Sequence, residues 1–329
     1  MFDENLRRVS IVFACAFLGA CTTTAATAPA NGTEPPAGSA PGTPKPPLPT
    51  PSVSVRESGA RLWVHDFGGV KLHTYMAPFE AFANTTHVIE GPNALVVVDP
   101  QMTIAFATDV RGYVDGLGKP VDRLIVSHAH PDHYLGVAAA WEDVTVYALA
   151  GTIAEIEKTG EEVRKAREAM FPPGWLADHV TAPTTTLDPG ASTIDGVEYV
   201  FDRILAAEHP EQLAIRLPAL DVTIAQDLVY TKVHPIITDR SAIASWSEHV
   251  DTLLSAGDTA LVLAGHGPPT DADGLGFIKT YLSAAKALLD GGADAPAFKA
   301  GIMAEFPDLE GEAFVDFSLF FLFPESGQH

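Results

Sequence analysis

Cysteine is nearly absent from this chain: 329 residues hold two, Cys15 and Cys21. If Cys15 leaves with a cleaved leader, no disulfide can form within the remainder, and no thiolate is free to bind a metal. Cations are scarce as well. Twenty Lys and Arg face 42 Asp and Glu, giving a formal charge of −22, and the acidic excess is spread along the chain rather than gathered in one tail. A surface of that sign repels phosphate backbones and argues against a nucleic-acid partner. Long apolar runs are missing from residue 53 onward, where nothing reaches the roughly 18 consecutive apolar residues of a spanning helix. Yet 47% of the residues are hydrophobic, enough for a large core in one domain or two.

The N-terminal residues read as an export signal: Arg7 and Arg8, an apolar stretch from Ile11 to Ala20, then Leu18-Gly19-Ala20-Cys21. That junction resembles a bacterial lipobox. It predicts a signal peptide over 1–20 and a membrane anchor through an N-terminal lipid on Cys21, placing the protein on the periplasmic side of the envelope. Residues 22–52 hold nine of the 26 prolines among Thr, Ala, Gly and Ser. Such a segment cannot bury apolar surface, so 21–54 is expected to be a disordered tether and 55–329 the folded, catalytic domain.

From Val53 the pattern changes to alternating strands and amphipathic helices. Short strands are expected over 61–98, including a hairpin around Gly91-Pro92-Asn93, and a helix over 102–117. Arg123–Val126 reads as a buried strand, with helical patterns at 135–141 and 150–170. Strands return between 180 and 230. Helices near 243–256 and 271–290 flank a strand at 259–264. Two strand-then-helix halves in succession suggest two packed sheets with helices outside, an α/β architecture.

The chemistry concentrates at one loop. His128, His130, Asp132 and His133 lie within six residues, directly after the strand ending at Ser127. On a tight loop neither helix nor strand periodicity holds such side chains apart. Imidazole and carboxylate without thiolate suit zinc, with iron or manganese possible.

His-x-His-x-Asp-His after an apolar strand resembles the signature of the metallo-β-lactamase superfamily of hydrolases, and the resemblance covers roughly residues 60–290. It implies a four-layer αββα sandwich and, in family order, His128, His130 and His209 for a first metal. Asp132, His133 and His266 would hold a second, with Asp227 bridging, and Asp99 would brace the loop. Two Zn2+ so held, about 3.5–4 Å apart, would share an activated hydroxide. Asp132 and Tyr230 are the catalytic candidates, Tyr230, three residues past Asp227, either as an oxyanion donor or as a packed aromatic at a strand end. His234 reads as a rim or surface histidine, and His65, His73, His87, His179, His249 and His329 as surface or core.

Three departures stand out: Gln226 where the family usually has Gly, Pro-Glu-Gln after His209, and one Gly (Gly136) after His133-Tyr134-Leu135 where two are common. The helix at 150–170 with Met170–Trp175 occupies the place of a substrate-covering insertion. The implied activity is hydrolysis of a small-molecule lactone, ester or thioester. A β-lactamase fits less well, since one group of those enzymes needs a Cys ligand and the all-histidine group lacks the bridging Asp. Phosphodiesterase chemistry suits the ligands but not the acidic surface. The flavin-partnered oxidoreductases carry Glu where this chain has His130. A silent metal-binding lipoprotein is the remaining alternative. Phe314–Phe323 is too short to span a bilayer and is expected to dock on the domain.

Overall fold

A computed structural model describes residues 47–324, so the leader, Cys21, most of the tether and His329 lie outside the described residues. Strands β1 (Ser52–Val55), β2 (Arg61–Asp66), β3 (Lys71–Met76), β4 (Thr85–Glu90), β5 (Leu95–Val98), β6 (Val121–Ile125), β7 (Val146–Ala148) and β8 (Thr185–Thr186) form one sheet in chain order. It is antiparallel from β1 to β5 and parallel from β5 to β8. The second sheet runs β13 (Leu261–His266), β12 (Val222–Tyr230), β11 (Glu211–Leu217), β10 (Val197–Leu205), β9 (Gly190–Ile194), with β12 and β13 parallel. β1 begins at Ser52, so the folded domain already includes the last residues expected in the tether.

Period-2 alternation decides which apolar residues face where. On β5, Val96 and Val98 enter the seam between the sheets, with Ile125, Ile215, Ile224 and Leu263. Leu95 and Val97 face the other way, toward helices α1 (Ile104–Asp115), α3 (Gly136–Ala140) and α4 (Ala150–Glu168). Likewise Val262 and Ala264 of β13 pack outward on α5 (Ile243–Ala256) and α6 (Ala272–Asp290). The result is helix, sheet, sheet, helix, as expected from the sequence.

The C-terminal helices α7 (Ala295–Glu305) and α8 (Glu312–Leu322) close over the second half, with Phe314 and Val315 of α8 buried in its core. The apolar C-terminal run therefore docks on the domain. Among the described residues no helix is long and apolar enough to cross a membrane.

Candidate metal centre

The site forms where the two sheets meet at one end. Backbone bridges join Asn84 to His266 and His128 to Gln212 across the seam, and Thr85 Oγ1 donates to the Ala264 carbonyl at 2.6 Å. β6 ends at Ile125, and the short helix α2 (Pro131–Tyr134) begins with His130 as its N-cap, so the loop between must turn sharply. Asp99 fixes that turn from beneath. Its carboxylate accepts from the Ser127 amide and hydroxyl and from His133 Nδ1, each at 2.7 Å, and from the Gln226 side-chain amide. Ser127 Oγ spends its proton on Asp99, so it accepts from His128 Nδ1 at 2.9 Å and leaves His128 Nε2 as a lone-pair donor.

Two groups of ligand-type atoms result. The first contains His128, His130, Glu208 and Asp227. His130 Nδ1 lies 3.3 Å and His128 Nε2 3.7 Å from Glu208 Oε2, and His128 Nε2 lies 3.7 Å from Asp227 Oδ2. The second contains Asp132, His133 and His266. Asp227 reaches it too: Oδ1 is 3.2 Å from His133 Nε2, and Oδ2 is 3.3 Å from His266 Nε2. Asp227 thus stands between both groups. His266 is aimed by its Nδ1–H, which donates to the Phe82 carbonyl at 2.7 Å, and the Asp132 carbonyl is held by Asn84 at 2.5 Å.

Backbone shape makes room for this convergence. Gly265 has no side chain because a Cβ there would run into the Asp227 carboxylate, and a Cβ on Gly267 (φ +98°) would strike the Thr231 carbonyl. Gly136 packs against the carbonyls of Pro100 and Gln101, where a Cβ would collide with both oxygens. Gln226 takes φ 46°, a left-handed conformation usually left to glycine, at a register shift between β12 and β13. The bulge is retained without the glycine.

The electrostatics call for a cation. Burial disfavours the charged forms of His133 and His266, yet the Asp227, Asp132 and Asp99 carboxylates hold His133 well above the usual imidazole range, and Asp227 and Asp132 raise His266 to about 10. Burial likewise opposes ionisation of Asp227, but His133 and His266 keep it well below the usual carboxylate range. Among the buried atoms with no hydrogen-bond partner in the described structure are His133 Nε2, Glu208 Oε2 and Asp227 Oδ1, all within the two groups. Unpartnered buried donors and acceptors of this kind are costly. A divalent ion bound by oxygen and imidazole nitrogen satisfies them, and the residues fit such an ion.

Of the expected ligands, His128, His130, Asp132, His133, Asp227 and His266 converge. His209 differs. It is buried and packs on the rings of His128 and His130, at centroid distances of 5.3 and 4.7 Å. However, its Nδ1 meets the Glu211 carbonyl at 2.9 Å and its Nε2 points toward Glu155. Its neighbour Glu208 supplies the ligand-type atom in its place, a residue the sequence reading passed over. Both residues lie in the bend between β10 and β11, and both are buried against His128 and His130.

Tyr230 takes the packed position that was one of its two expected roles. It is fully buried and stacked on His266 at 4.9 Å, and its hydroxyl donates to Asp227 Oδ2 at 3.0 Å. That proton is already committed to a carboxylate. His234 is not on a rim; it is buried, with Nδ1 3.2 Å from the Tyr281 hydroxyl. His65, His73 and His87 are buried outside both groups, and His179 is exposed.

An aromatic wall adjoins the second group. Phe314 lies 5.7 Å from His266 and stacks on Phe82, which meets Phe171, which in turn stacks on Trp175.

The chain is similar to an (R)-specific secondary-alkylsulfatase of a Pseudomonas species, at 27% identity over 61% of this chain and 36% of that protein. It is also similar to an alkyl/aryl-sulfatase of Saccharomyces cerevisiae, at 24% identity over 67% of this chain and 41% of that protein. It thus spans well under half the length of these curated relatives. Among solved structures, a metallo-beta-lactamase from Pontibacter korlensis superposes with a TM-score of 0.52 at 14% identity, covering 71% of this chain and 99% of that one. One from Pseudomonas aeruginosa in a mono-zinc form gives 0.52 at 15% identity, covering 74% and 97%. Residues 80–268 match the metallo-beta-lactamase superfamily throughout, and the chain belongs to that superfamily of hydrolases.

Proposed function

We propose that this protein is a two-metal hydrolase of esters, and that its substrate is an organic sulfate monoester. The observation that carries the reading is Glu208, buried with His128 and His130 where a third histidine was expected. With Glu208, Asp132 and Asp227, three carboxylates face two divalent ions. The charge left over is small and positive, suited to a singly charged ester rather than to a phosphate dianion. The relatives named as sulfatases agree with this choice.

Zinc is the metal proposed, since the donor set is imidazole and carboxylate, with iron or manganese as alternatives. His128, His130 and Glu208 would hold one ion, Asp132, His133 and His266 the other, and Asp227 both. Bound there, such ions supply an activated water and polarise the oxygen of the scissile ester. The chain's own residues do the rest. Asp99 locks the orientation of His133 and, through Ser127, of His128; the Phe82 carbonyl does the same for His266. Tyr230 holds the Asp227 carboxylate in place. Phe314 and Phe82 keep water from one side of the site.

The aromatic wall favours a second reading, a neutral lactone or carboxylic ester of the kind expected from the sequence. Lipidation at Cys21 and a periplasmic-side location remain part of the proposal, motivated by the Leu-Gly-Ala-Cys junction. The test is metal analysis of purified protein, followed by a panel of p-nitrophenyl sulfate, p-nitrophenyl acetate, a lactone and bis(p-nitrophenyl) phosphate. Two metals per chain and sulfate cleavage above the others are expected. Faster acetate or lactone cleavage would move the assignment to the second reading, and faster phosphodiester cleavage would overturn both.

A further inference from the structure

Arg167 stands apart from its neighbours on α4. One turn earlier, Arg164 pairs with Glu161 and Glu168 at 3.0 and 3.1 Å. Arg56, Arg111, Arg203 and Arg216 are likewise bound to carboxylates. Arg167 is half-buried, and its contacts are a thioether and a ring: Nη1 lies 3.5 Å from Met170 Sδ, and the guanidinium lies 5.0 Å over Phe317. In so acidic a chain, a half-buried guanidinium that meets no carboxylate among the described residues keeps its donors for something else.

Its position says what. Phe317 and Phe314 lie three residues apart on α8, about one helical turn, so they share a face. Phe314 touches His266 and Phe317 touches Arg167. The guanidinium therefore sits about one turn along α8 from the second ligand group, at the edge of the aromatic wall. Burial works against its charge, and the groups that favour it are Asp132 and Tyr134, both on the metal loop.

We infer that Arg167 is a specificity residue that grips the anionic end of the substrate, while the wall of Phe82, Phe171 and Phe314 takes its apolar part. The inference rests on the proposed ester-hydrolase reading and narrows it to amphiphilic monoanions. A planar fork that stacks on a ring and offers paired N–H donors matches the oxygens of a sulfate or sulfonate.

Binding, not turnover, separates this inference from the proposed reaction. 1-Octanesulfonate, which cannot be hydrolysed at its S–C bond by such a site, is titrated calorimetrically into metal-loaded wild type, Arg167→Leu and Arg167→Lys. Methyl octyl sulfone, neutral and of similar shape, is the control, and metal content is measured for each variant. The expected result is sulfonate binding weakened about 10- to 100-fold in Arg167→Leu, the scale of a lost charge-assisted hydrogen bond, and partly kept in Arg167→Lys. Sulfone binding should change by less than about twofold. Equal loss for both ligands would reduce Arg167 to a packing residue, and unchanged sulfonate binding, or none in the wild type, would overturn the inference. If sulfonate binds through Arg167 but no sulfate ester is cleaved, the proposed reaction fails and the anion grip stands.

Discussion

The first half of the molecule delivers His128, His130, Asp132 and His133 from six consecutive residues, whereas the second half delivers Glu208 from the β10–β11 turn, Asp227 from within β12 and His266 from the end of β13. In the first half one brace serves the whole loop: Asp99 holds Ser127 and His133 directly and His128 through Ser127. In the second half each group has its own fixing contact, Tyr230 for Asp227 and the Phe82 carbonyl for His266. The local cluster depends on one tight turn. The dispersed set depends on register between strands far apart in sequence, held by the β12 bulge and by Gly265. Damage to the first half should act on several ligands at once, and damage to the second half on one at a time.

The largest effect is expected where the halves join. Asp227 touches both ligand groups, so Asp227→Ala should lower turnover by about three orders of magnitude and empty at least one metal position. Metal analysis and circular dichroism on one preparation check it. Full metal content with near-normal turnover would mean that the two groups are not coupled through Asp227.

Next comes the choice between neighbours. Glu208→Ala should cost about 100-fold or more in affinity for the first metal, whereas His209→Ala, which removes packing and a contact to Glu155, should cost about tenfold or less. The reverse order would restore His209 as the ligand.

That pair also shows where sequence reading stops. The layers were legible, because Leu95 to Val98 and Leu124 to Val126 are short apolar runs rich in β-branched residues, too short for helices and suited to strands buried on both faces. The metal loop was legible because its spacing is local. The β10–β11 turn was not. It is set by Ala206 in a left-handed conformation (φ 52°), and alanine gives no sign of such a turn. Without that turn the orientation of Glu208 and His209 cannot be read, and both end up buried against His128 and His130. For Tyr230 the spacing from Asp227 was visible, but not that its hydroxyl turns back onto the same carboxylate. His234 went the same way, its burial against Tyr281 depending on a helix 47 residues further along.

Tyr230→Phe should therefore lower activity by about tenfold, through a loosened Asp227 rather than a lost oxyanion donor. Such a brace acts alike on neutral and anionic substrates. A loss confined to carboxylic esters would instead return Tyr230 to direct contact with substrate.

The smallest effect is expected at Gln226, which ties the second half back to the first. Its left-handed φ costs about 1 kcal/mol relative to glycine, so Gln226→Gly removes strain. The same change deletes the amide that donates to Asp99 Oδ2, a hydrogen bond to a buried carboxylate of about 1.5–3 kcal/mol. The second term is larger, and the expected net loss is about 1 kcal/mol, a fall in Tm of about 2–4 °C for a domain of this size. Gln226→Asn separates the two terms: asparagine tolerates the left-handed region nearly as well as glycine, but its shorter amide falls short of Asp99. If asparagine and glycine lower Tm equally, the bond to Asp99 is what Gln226 contributes. If glycine raises Tm, backbone strain outweighs that bond, and the bridge between the halves is weaker than its geometry implies.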